Sequence, residues 1–305
     1  MTETEGLEQQ LLNVRDWLRY GVSRFSEAKL VYGHGTATAL DEAAYLILHT
    51  LHLPIDQLEP WLDARLTLTE RQAVLAIIEK RVATRKPASY LTNEAWVQGN
   101  AFYVDERVIV PRSYLGELLG GDLSNVIAEP DEIGGVLDLC TGSGCLAVLA
   151  ALTFANAHVD ASDVSADALA VAERNVRDYG LEDRISLIRS DLFAGLSGRR
   201  YDLIISNPPY VSSTAVADFP PEYAAEPRLA HEGGPDGMDI VRRILAEAAD
   251  YLTPKGTLVV EVGTARPVLE EEYPALPFLW LDTAESEGEV FALSADDVRN
   301  RKTAR

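Results

Sequence analysis

Residues 204–210 (IISNPPY) hold the side chains best suited to chemistry in this sequence. They predict an apolar strand that ends in an amide, two prolines and an aromatic ring. Because Pro209 forces Pro208 into an extended conformation and each proline fixes its own φ, the backbone is stiff where the strand leaves the sheet. The Asn207 side-chain carbonyl and the Pro208 backbone carbonyl could then both accept hydrogen bonds from one planar –NH2 group. Tyr210 could stack on the plane of that group.

Such a pair of acceptors would help an amide nitrogen to act as a nucleophile. An amide nitrogen is a poor nucleophile because its lone pair is delocalised into the carbonyl. Acceptors on both of its hydrogens orient the nitrogen and stabilise the positive charge that develops when a methyl sulfonium lies in line with it. No strong general base is needed before attack, since the proton can leave afterwards to solvent. A rigid turn with Asn207 as its capping residue is the structural alternative.

A second group of residues predicts a cofactor site. Residues 136–145 (VLDLCTGSGC) predict a strand, a glycine turn and the start of a helix. Gly142 and Gly144 allow positive φ and let a ligand approach the backbone closely. The dinucleotide pattern G-x-G-x-x-G would place its third glycine at Ala147. Asp138 argues against that pattern, because a carboxylate in the strand end would repel a pyrophosphate. It suits a ligand with an ammonium or sulfonium charge, such as S-adenosylmethionine.

Two later acids complete this cofactor prediction. Asp163 lies 19 residues after Gly144, at the end of the second strand, where an acid accepts hydrogen bonds from ribose hydroxyls. NAD and S-adenosylmethionine sites share that feature. Asp191 and Leu192 follow the third strand, where an adenine edge is expected. The predicted cofactor contacts are Asp138, Cys140, Thr141, Gly142, Ser143, Gly144, Asp163, Asp191, Leu192 and Asn207.

The elements that must position these residues follow from the hydrophobic pattern. The first 90 residues predict helices, among them one from Thr38 to Leu53 and one with Thr69 as its N-cap. Trp96 to Val110 predicts a β-hairpin with Gly99-Asn100 as its turn. From about Ser113, short apolar strands alternate with helices, including a helix from Asp236 to Leu252, which indicates a sheet covered on both faces.

The predicted fold class is therefore α/β. We expect a doubly wound, mostly parallel sheet. The resemblance of the Asn207–Tyr210 stretch to the motif of S-adenosylmethionine-dependent methyltransferases implies the seven-stranded, Rossmann-like form of that sheet. Residues 278–281 and 289–293 could add an antiparallel pair at one edge of the sheet. The predicted domains are a small helical domain at residues 1–88, a β-hairpin linker at 89–112 and a catalytic domain at 113–305.

The net charge of the chain helps to distinguish a protein substrate from a nucleic-acid substrate. The chain has 48 acidic and 27 basic residues, a net charge of −21, and residues 111–305 alone carry a net of −17. A protein that holds a nucleic-acid backbone over a broad surface needs clustered Lys and Arg. The charge therefore favours a basic protein partner over a nucleic-acid substrate. A nucleic-acid amino-group methyltransferase and a non-enzymatic cofactor-binding module stay as alternatives. The Asn207–Tyr210 stretch argues against the second, because cofactor binding alone does not need it.

Several further patterns bear on compartment and metals. The N-terminus lacks the basic and apolar regions of a signal peptide, and no run approaches the roughly 18 to 20 apolar residues of a membrane span. The two cysteines, Cys140 and Cys145, form no disulfide framework. We expect a cytoplasmic protein with no membrane partner. His49 and His52 have no third ligand at a sensible spacing, so no metal site is expected.

The Asn-Pro-Pro-Tyr motif resembles that of S-adenosylmethionine-dependent methyltransferases acting on adenine N6, guanine N2 or glutamine N5. Four further stretches resemble the protein glutamine N5-methyltransferases and extend the likeness from about residue 86 to the end. They are residues 86–91 (KPASYL), 102–112 (FYVDERVIVPR), 226–230 (EPRLA) and 233–238 (GGPDGM). This family has two main bacterial branches, one acting on release factors and one on ribosomal large-subunit protein three.

Two departures favour the ribosomal-protein branch. The release-factor branch usually reads Pro-Arg-Pro-x-Thr-Glu after the hairpin, where this sequence has residues 111–118 (PRSYLGEL). Residues 90–96 (YLTNEAW) replace that branch's shorter glycine-containing link. The resemblance thus implies ribosomal large-subunit protein three as the substrate and partner, with a release factor as the alternative.

The resemblance also implies roles for individual residues. Asn207, Pro208 and Tyr210 would be catalytic and hold the glutamine amide, with Pro209 beside them. Arg112 would contact substrate near the methionine end of the cofactor. An ion pair between Arg112 and a nearby acid is at least as well supported by the sequence. The helical domain would recognise the protein substrate.

Overall fold

The computed structural model describes residues 6–121, 123, 126–127 and 129–300. The α-helices in this part of the chain are α1 Leu7–Gln10, α2 Val14–Glu27, α3 Ala39–Thr50, α4 Leu68–Thr84, α5 Ala88–Thr92, α6 Tyr114–Gly120, α7 Cys145–Thr153, α8 Ala166–Asp178, α9 Ser213–Ala217, α10 Asp239–Glu247, α11 Arg266–Glu272 and α12 Ala295–Asn300. The strands are β1 Glu94–Val97, β2 Asn100–Tyr103, β3 Gly135–Leu139, β4 His158–Asp163, β5 Ile185–Arg189, β6 Tyr201–Ser206, β7 Leu252–Glu261, β8 Leu279–Leu281 and β9 Val290–Ser294. No helix among the described residues is both long and apolar enough to cross a membrane.

The chain divides into two compact units. The helical unit consists of Met1–Glu94 together with Phe219–Ala225, and the sheet unit consists of Ala95–Asp218 together with Glu226–Arg305. Neither unit is one continuous segment, because the short stretch 219–225 belongs to the helices. The domain boundaries at residues 88 and 112 stay a prediction.

The helical unit packs α2, α3 and α4 around one apolar core. Trp17, Phe25 and Ile78 are fully buried in it. Arg81 and Glu42 form an ion pair inside this unit, with 2.7 Å between Nε and Oε1 and both side chains at most 1% exposed. The 219–225 segment is held through Glu222, whose Oε1 accepts hydrogen bonds from Arg85 Nη2 and from the Val31 backbone N–H at 2.5 and 3.1 Å.

The sheet unit is built on the predicted α/β architecture, which is confirmed. Within the described residues the main sheet has seven strands in the order β5-β4-β3-β6-β7-β9-β8. Strands β5, β4, β3, β6 and β7 run parallel, and β9 pairs antiparallel with both β7 and β8. The antiparallel pair predicted at the edge of the sheet is therefore present.

Side chains alternate between the two faces of each strand, and helices cover both faces of the sheet. Val136 and Ile205 face one core, which is completed by α6, α7 and α8. Leu137 and Ile204 face a second core with α10, α11 and α12. Since successive side chains point to opposite faces of a strand, both faces must be apolar to be covered.

The hairpin precedes the main sheet and reaches the glycine turn. Strands β1 and β2 are joined at Gln98 and Gly99, which have φ angles of 49° and 72°, as a two-residue hairpin turn requires. The predicted turn at Gly99-Asn100 is wrong by one residue, because Asn100 already belongs to β2. The hairpin is also shorter than predicted, since residues 104–110 are not strand. The buried Asn175 side chain binds both polar groups of the Tyr103 backbone and donates to the Ser143 carbonyl at 2.8 Å.

Three helices differ from the prediction in their boundaries. The helix predicted to end at Leu53 is α3, which ends at Thr50. Helix α4 is capped by Thr67, not Thr69, because Thr67 and Glu70 form a reciprocal capping box. The predicted helix from Asp236 to Leu252 is wrong at both ends. It begins at Asp239 and ends at Glu247, and Leu252 instead begins β7 by pairing with Tyr201.

The capping box gives a stability prediction. Thr67→Ala removes the side-chain acceptor of the Glu70 N–H, and we expect it to lower the free energy of unfolding by about 1 kcal/mol. Thr69→Ala is the matched control and should change that free energy by less than about 0.5 kcal/mol, because Thr69 is an exposed helical residue. Urea unfolding followed by circular dichroism measures both. Equal losses would show that the box does not set the start of α4.

Candidate active site

A cavity lies where the strand order of the main sheet reverses, between β3 and β6. Loops diverge at such a point, so the carboxyl ends of parallel strands leave a crevice there. Its lining includes residues predicted from the sequence, namely Cys140, Gly142, Asp163, Asp191, Leu192, Asn207 and Pro209. The lining also includes residues from two further segments, namely Arg107, Val108, Ile109, Pro227, Leu229 and Ala230.

The glycine turn bends sharply away from β3. Cys140, Gly142 and Gly144 have positive φ angles of 60°, 56° and 78°. A Cβ on Gly144 would lie 3.0 Å from the Cβ of Ala172 in α8, so glycine lets the turn pack on that helix. A Cβ on Gly142 would meet no atom within 4 Å and would take up space beside the cavity.

Asp138 lies behind this turn and does not line the cavity. Its side chain is on the same face of β3 as Val136 and is fully buried. The Thr141 hydroxyl donates to Asp138 Oδ2 at 2.5 Å, whereas Oδ1 has no hydrogen-bond partner among the described residues. Burial raises the pKa of Asp138 to about 7, because the charged form is removed from water.

Asp163 ends β4 at the cavity wall. Its Oδ2 accepts a hydrogen bond from the Gly142 backbone N–H, and its Oδ1 accepts one from the Ser165 N–H, both at 2.9 Å. Each carboxylate oxygen has a second lone pair, so both could accept a further donor from the cavity. Burial raises the pKa of Asp163, and the two backbone donors oppose that shift.

Asp191 and Leu192 lie in the turn after β5. Leu192 is buried and adopts a left-handed φ of 48°. The Ser190 hydroxyl donates to the Leu192 carbonyl at 2.6 Å and holds this turn. Asp191 is exposed, and its Oδ1 lies 2.9 Å from Nη2 of Arg243. The turn therefore offers one apolar wall and one carboxylate to the cavity.

Asn207 follows the last residue of β6. The Ser206 hydroxyl donates to the Leu139 carbonyl at 2.8 Å, which ties the end of β6 to the end of β3. No described residue forms a hydrogen bond with the Asn207 carboxamide or the Pro208 carbonyl. Asn207 is half-buried and lines the cavity, whereas buried Pro208 does not. The Asn207 side-chain amide is therefore available to form hydrogen bonds with a ligand.

Tyr210 does not line the cavity. Its hydroxyl donates to Oε1 of Glu261 at 3.0 Å, and a Cβ on Gly263 would lie 2.7 Å from its ring. The other Glu261 oxygen accepts hydrogen bonds from the Ser113 hydroxyl and the Tyr114 N–H at 2.6 and 2.9 Å. Burial beside this carboxylate raises the pKa of Tyr210, so the phenol stays neutral.

The loop at residues 233–238 packs closely against the backbone of the Asn-Pro-Pro-Tyr motif. A Cβ on Gly233 would lie 2.6 Å from the Pro209 carbonyl oxygen, and one on Gly237 would collide with the Tyr210 carbonyl oxygen. The Gly233 N–H also donates to the Val211 carbonyl at 2.9 Å. Side chains at either glycine would push the motif out of place.

The remaining predicted site residues do not line the cavity. Thr141, Ser143 and Gly144 shape the glycine turn without lining the cavity. Arg112 does not line it either, and its guanidinium forms a bidentate ion pair with Glu226 at 2.7 and 2.8 Å. This is the ion pair with a nearby acid that the sequence left open.

Sequence reasoning missed two supporting residues, Glu261 and Asn175. Glu261 ends an apolar strand, which is the same signal that pointed to Asp163, and it was available in the sequence. Asn175 lies within α8 and is only 1% exposed. An asparagine on the buried face of a predicted helix is a weaker signal, because its partners lie far away in the chain.

Comparison with known proteins places the chain in a family. Residues 123–219 match the family described as Methyltransferase small domain. A protein from Burkholderia pseudomallei is 56% identical over 292 residues, covering 93% of this chain and 95% of that protein. One from Neisseria gonorrhoeae is 55% identical over 290 residues, covering 95% of this chain and 97% of that protein. Both are named ribosomal protein uL3 glutamine methyltransferase. The chain belongs to the uL3 glutamine methyltransferase family.

Membership of this family confirms the resemblance and the branch predicted from the sequence. It also confirms that the chain is a methyltransferase, as the strand-end motif indicated. A solved structure, the hMettl16 catalytic domain in complex with MAT2A 3′UTR hairpin 1, superposes with a TM-score of 0.52 at 18% identity and covers 83% of this chain and 91% of that one. That likeness shows a shared fold.

The buried carboxyl of Asp138 predicts a pH dependence of stability. With a pKa of about 7, the folded chain keeps this proton at pH values where an unfolded aspartate, with a pKa near 4, has lost it. The folded state then binds more protons between pH 4 and 7, so the contribution of Asp138 to stability falls as pH rises through that range.

Asp138→Asn removes this titration, and Asn can still accept a hydrogen bond from Thr141. We expect the Tm of the wild type minus that of the variant to fall from pH 4.5 to about 7 and then to level off. Thermal unfolding of both proteins without ligand, at matched ionic strength, measures it. A difference that stays constant with pH would contradict the raised pKa.

Proposed function

We propose that this chain transfers a methyl group from S-adenosylmethionine to the side-chain amide nitrogen of a glutamine in ribosomal protein uL3. The observation that carries the proposal is the Asn207 carboxamide, which lines the cavity with no hydrogen-bond partner among the described residues. The relatives named uL3 glutamine methyltransferases support the choice of substrate.

We infer that S-adenosylmethionine binds in the cavity at the carboxyl ends of β3, β4, β5 and β6. The lining fits that group because Gly142 leaves space beside its backbone and Asp163 has acceptor capacity to spare. The walls are largely apolar with a few polar groups, as is usual for a cofactor site. When bound, the cofactor supplies the methyl group as an electrophile.

Individual residues would hold the cofactor through separate interactions. Asp163 would accept hydrogen bonds from the ribose hydroxyls, and the turn at Asp191 and Leu192 would contact the adenine. The glycine turn from Cys140 to Gly144 would let the cofactor approach the backbone. Asp138 would favour a positively charged ligand from behind the turn.

Asn207 and Pro208 would then hold the substrate. The Asn207 Oδ1 and the Pro208 carbonyl oxygen would accept hydrogen bonds from the two N–H groups of the glutamine amide. These acceptors orient the nitrogen and stabilise its developing positive charge, which is worth most where water is excluded. Tyr210 would fix the backbone that presents them, since its hydroxyl is bound by Glu261. The proton would leave to solvent after transfer.

The charge of the sheet unit supports a basic protein substrate. Residues 111–305 carry a net charge of −17, which attracts a cationic partner and opposes an extended phosphate backbone. A ribosomal protein substrate implies a cytoplasmic location.

Labelled methyl transfer tests this function. Purified uL3, a release factor and ribosomal RNA are incubated separately with the enzyme and labelled S-adenosylmethionine. We expect label on uL3 at one glutamine, which mass spectrometry locates, and a uL3 variant with that glutamine changed to Glu serves as the control. Label on RNA alone, or on the release factor alone, would contradict the proposed substrate.

Two substitutions separate the chemical step from cofactor binding. Asn207→Ala removes one of the two amide acceptors and should lower kcat by about a hundredfold or more. Its Kd for S-adenosylhomocysteine, measured by calorimetry, should change far less. Asp163→Ala should instead raise that Kd by about tenfold or more, because hydrogen bonds to a charged group are lost. The same pattern of effects in both variants would mean that one of these roles is misassigned.

A further inference from the structure

Two segments far apart in the chain, here called the outer walls, line the cavity together with residues at the strand ends. One is the Arg107–Ile109 stretch, and the other contains Pro227, Leu229 and Ala230. Apart from a short 3-10 helix at Arg228–Ala230, these segments lie outside helices and strands. Sheet hydrogen bonds therefore do not set their separation, and another interaction must do so.

The Glu226 carboxylate joins the two segments. Its side chain is fully buried, and its Oε1 accepts a hydrogen bond from the backbone N–H of Val110 at 2.9 Å. Val110 directly follows the first segment, and Glu226 directly precedes the second. One carboxyl group thus fixes the distance between the two walls at their bases.

Arg112 completes the junction. Its Nη1 and Nη2 donate to Oε1 and Oε2 of Glu226 at 2.7 and 2.8 Å, and Nε2 of His231 lies 2.9 Å from Oε2. The planar guanidinium matches the carboxylate with two parallel hydrogen bonds, which fixes its orientation as well as its position. The His231 carbonyl accepts a hydrogen bond from the Val211 N–H at 2.9 Å, next to the motif residue Tyr210.

We infer that Glu226 and Arg112 are positioning residues that hold both outer walls of the cavity in the form that binds cofactor. This inference rests on the proposed function, because it takes the cavity as the cofactor site. The carboxylate precedes one wall and accepts hydrogen bonds from Val110 and Arg112 beside the other, so it acts through those partners. The pairing also gives Arg112 a role that requires no contact with the substrate.

Loss of the junction should reduce the fraction of molecules with correctly placed walls. If that fraction falls to about a tenth, the apparent affinity for the cofactor falls about tenfold, while saturating cofactor restores the competent form. The kinetic signature is a raised KM for S-adenosylmethionine with a kcat that returns close to the wild-type value. A purely structural role would lower Tm and leave that KM unchanged.

The test uses the full chain, with S-adenosylhomocysteine as the calorimetric probe, well below each variant's Tm. Glu226→Gln keeps the shape of the side chain and removes an acceptor, and we expect its Kd to rise about tenfold or more. The matched control is Glu42→Gln, which weakens the buried Arg81 pair in the helical unit and should leave Kd within about twofold of wild type. Arg112→Lys keeps the charge without the two-pronged geometry and should fall between wild type and Arg112→Ala.

The outcomes distinguish the two proposals. If the wild type binds the probe and Glu226→Gln binds it equally well at a lower Tm, the junction serves stability alone and the inference fails. If Glu226→Gln does not fold, unchanged affinity in Arg112→Lys and Arg112→Ala would overturn it in the same way. If the wild type itself does not bind the probe, the proposed function fails first, and the inference fails with it.

Discussion

The parallel pairing of β3 with β6 is the interaction on which the site depends. Its register sets Leu139 opposite Ser206, and the Ser206 hydroxyl adds a hydrogen bond to the Leu139 carbonyl. The residues that follow, Cys140 and Asn207, are therefore neighbours at the carboxyl edge of the sheet. One opens the glycine turn and the other opens the Asn-Pro-Pro-Tyr motif. A shift of one residue in this ladder would turn the strand-end side chains to the opposite face of the sheet.

Buried carboxylates extend this arrangement into the loops. Asp163 holds the glycine turn, Glu261 holds Tyr210 and the start of α6, and Glu226 joins the two outer walls. Each accepts hydrogen bonds from segments distant in sequence, which compensates for the cost of removing a charged group from water. The loops around the cavity therefore owe their shape to a few polar contacts as much as to apolar packing.

The sequence was informative where local chemistry decides the structure. Asn207, Asp163 and the glycine turn could be placed at strand ends, because apolar strands and turn residues are visible in the sequence and parallel strands share one carboxyl edge. The orientation of Tyr210 could not be predicted, since it depends on Glu261 and Gly263 some 50 residues later in the chain. The cap at Thr67 was available as a Thr-x-x-Glu pattern, but the prediction chose Thr69 because it lies just before the apolar segment of the helix.

Because the 219–225 segment belongs to the helical unit, no single cut in the chain separates the two units. The chain crosses between the two units three times, after residues 94, 218 and 225. A protein cut after residue 94 would keep the strands of the main sheet, but Glu222 would lose Arg85 and the Val31 N–H as partners. Its carboxylate, now fully buried, would then lack both of these donors. The helical unit is therefore not a detachable module, and transplanting it between relatives requires exchanging this seven-residue segment as well.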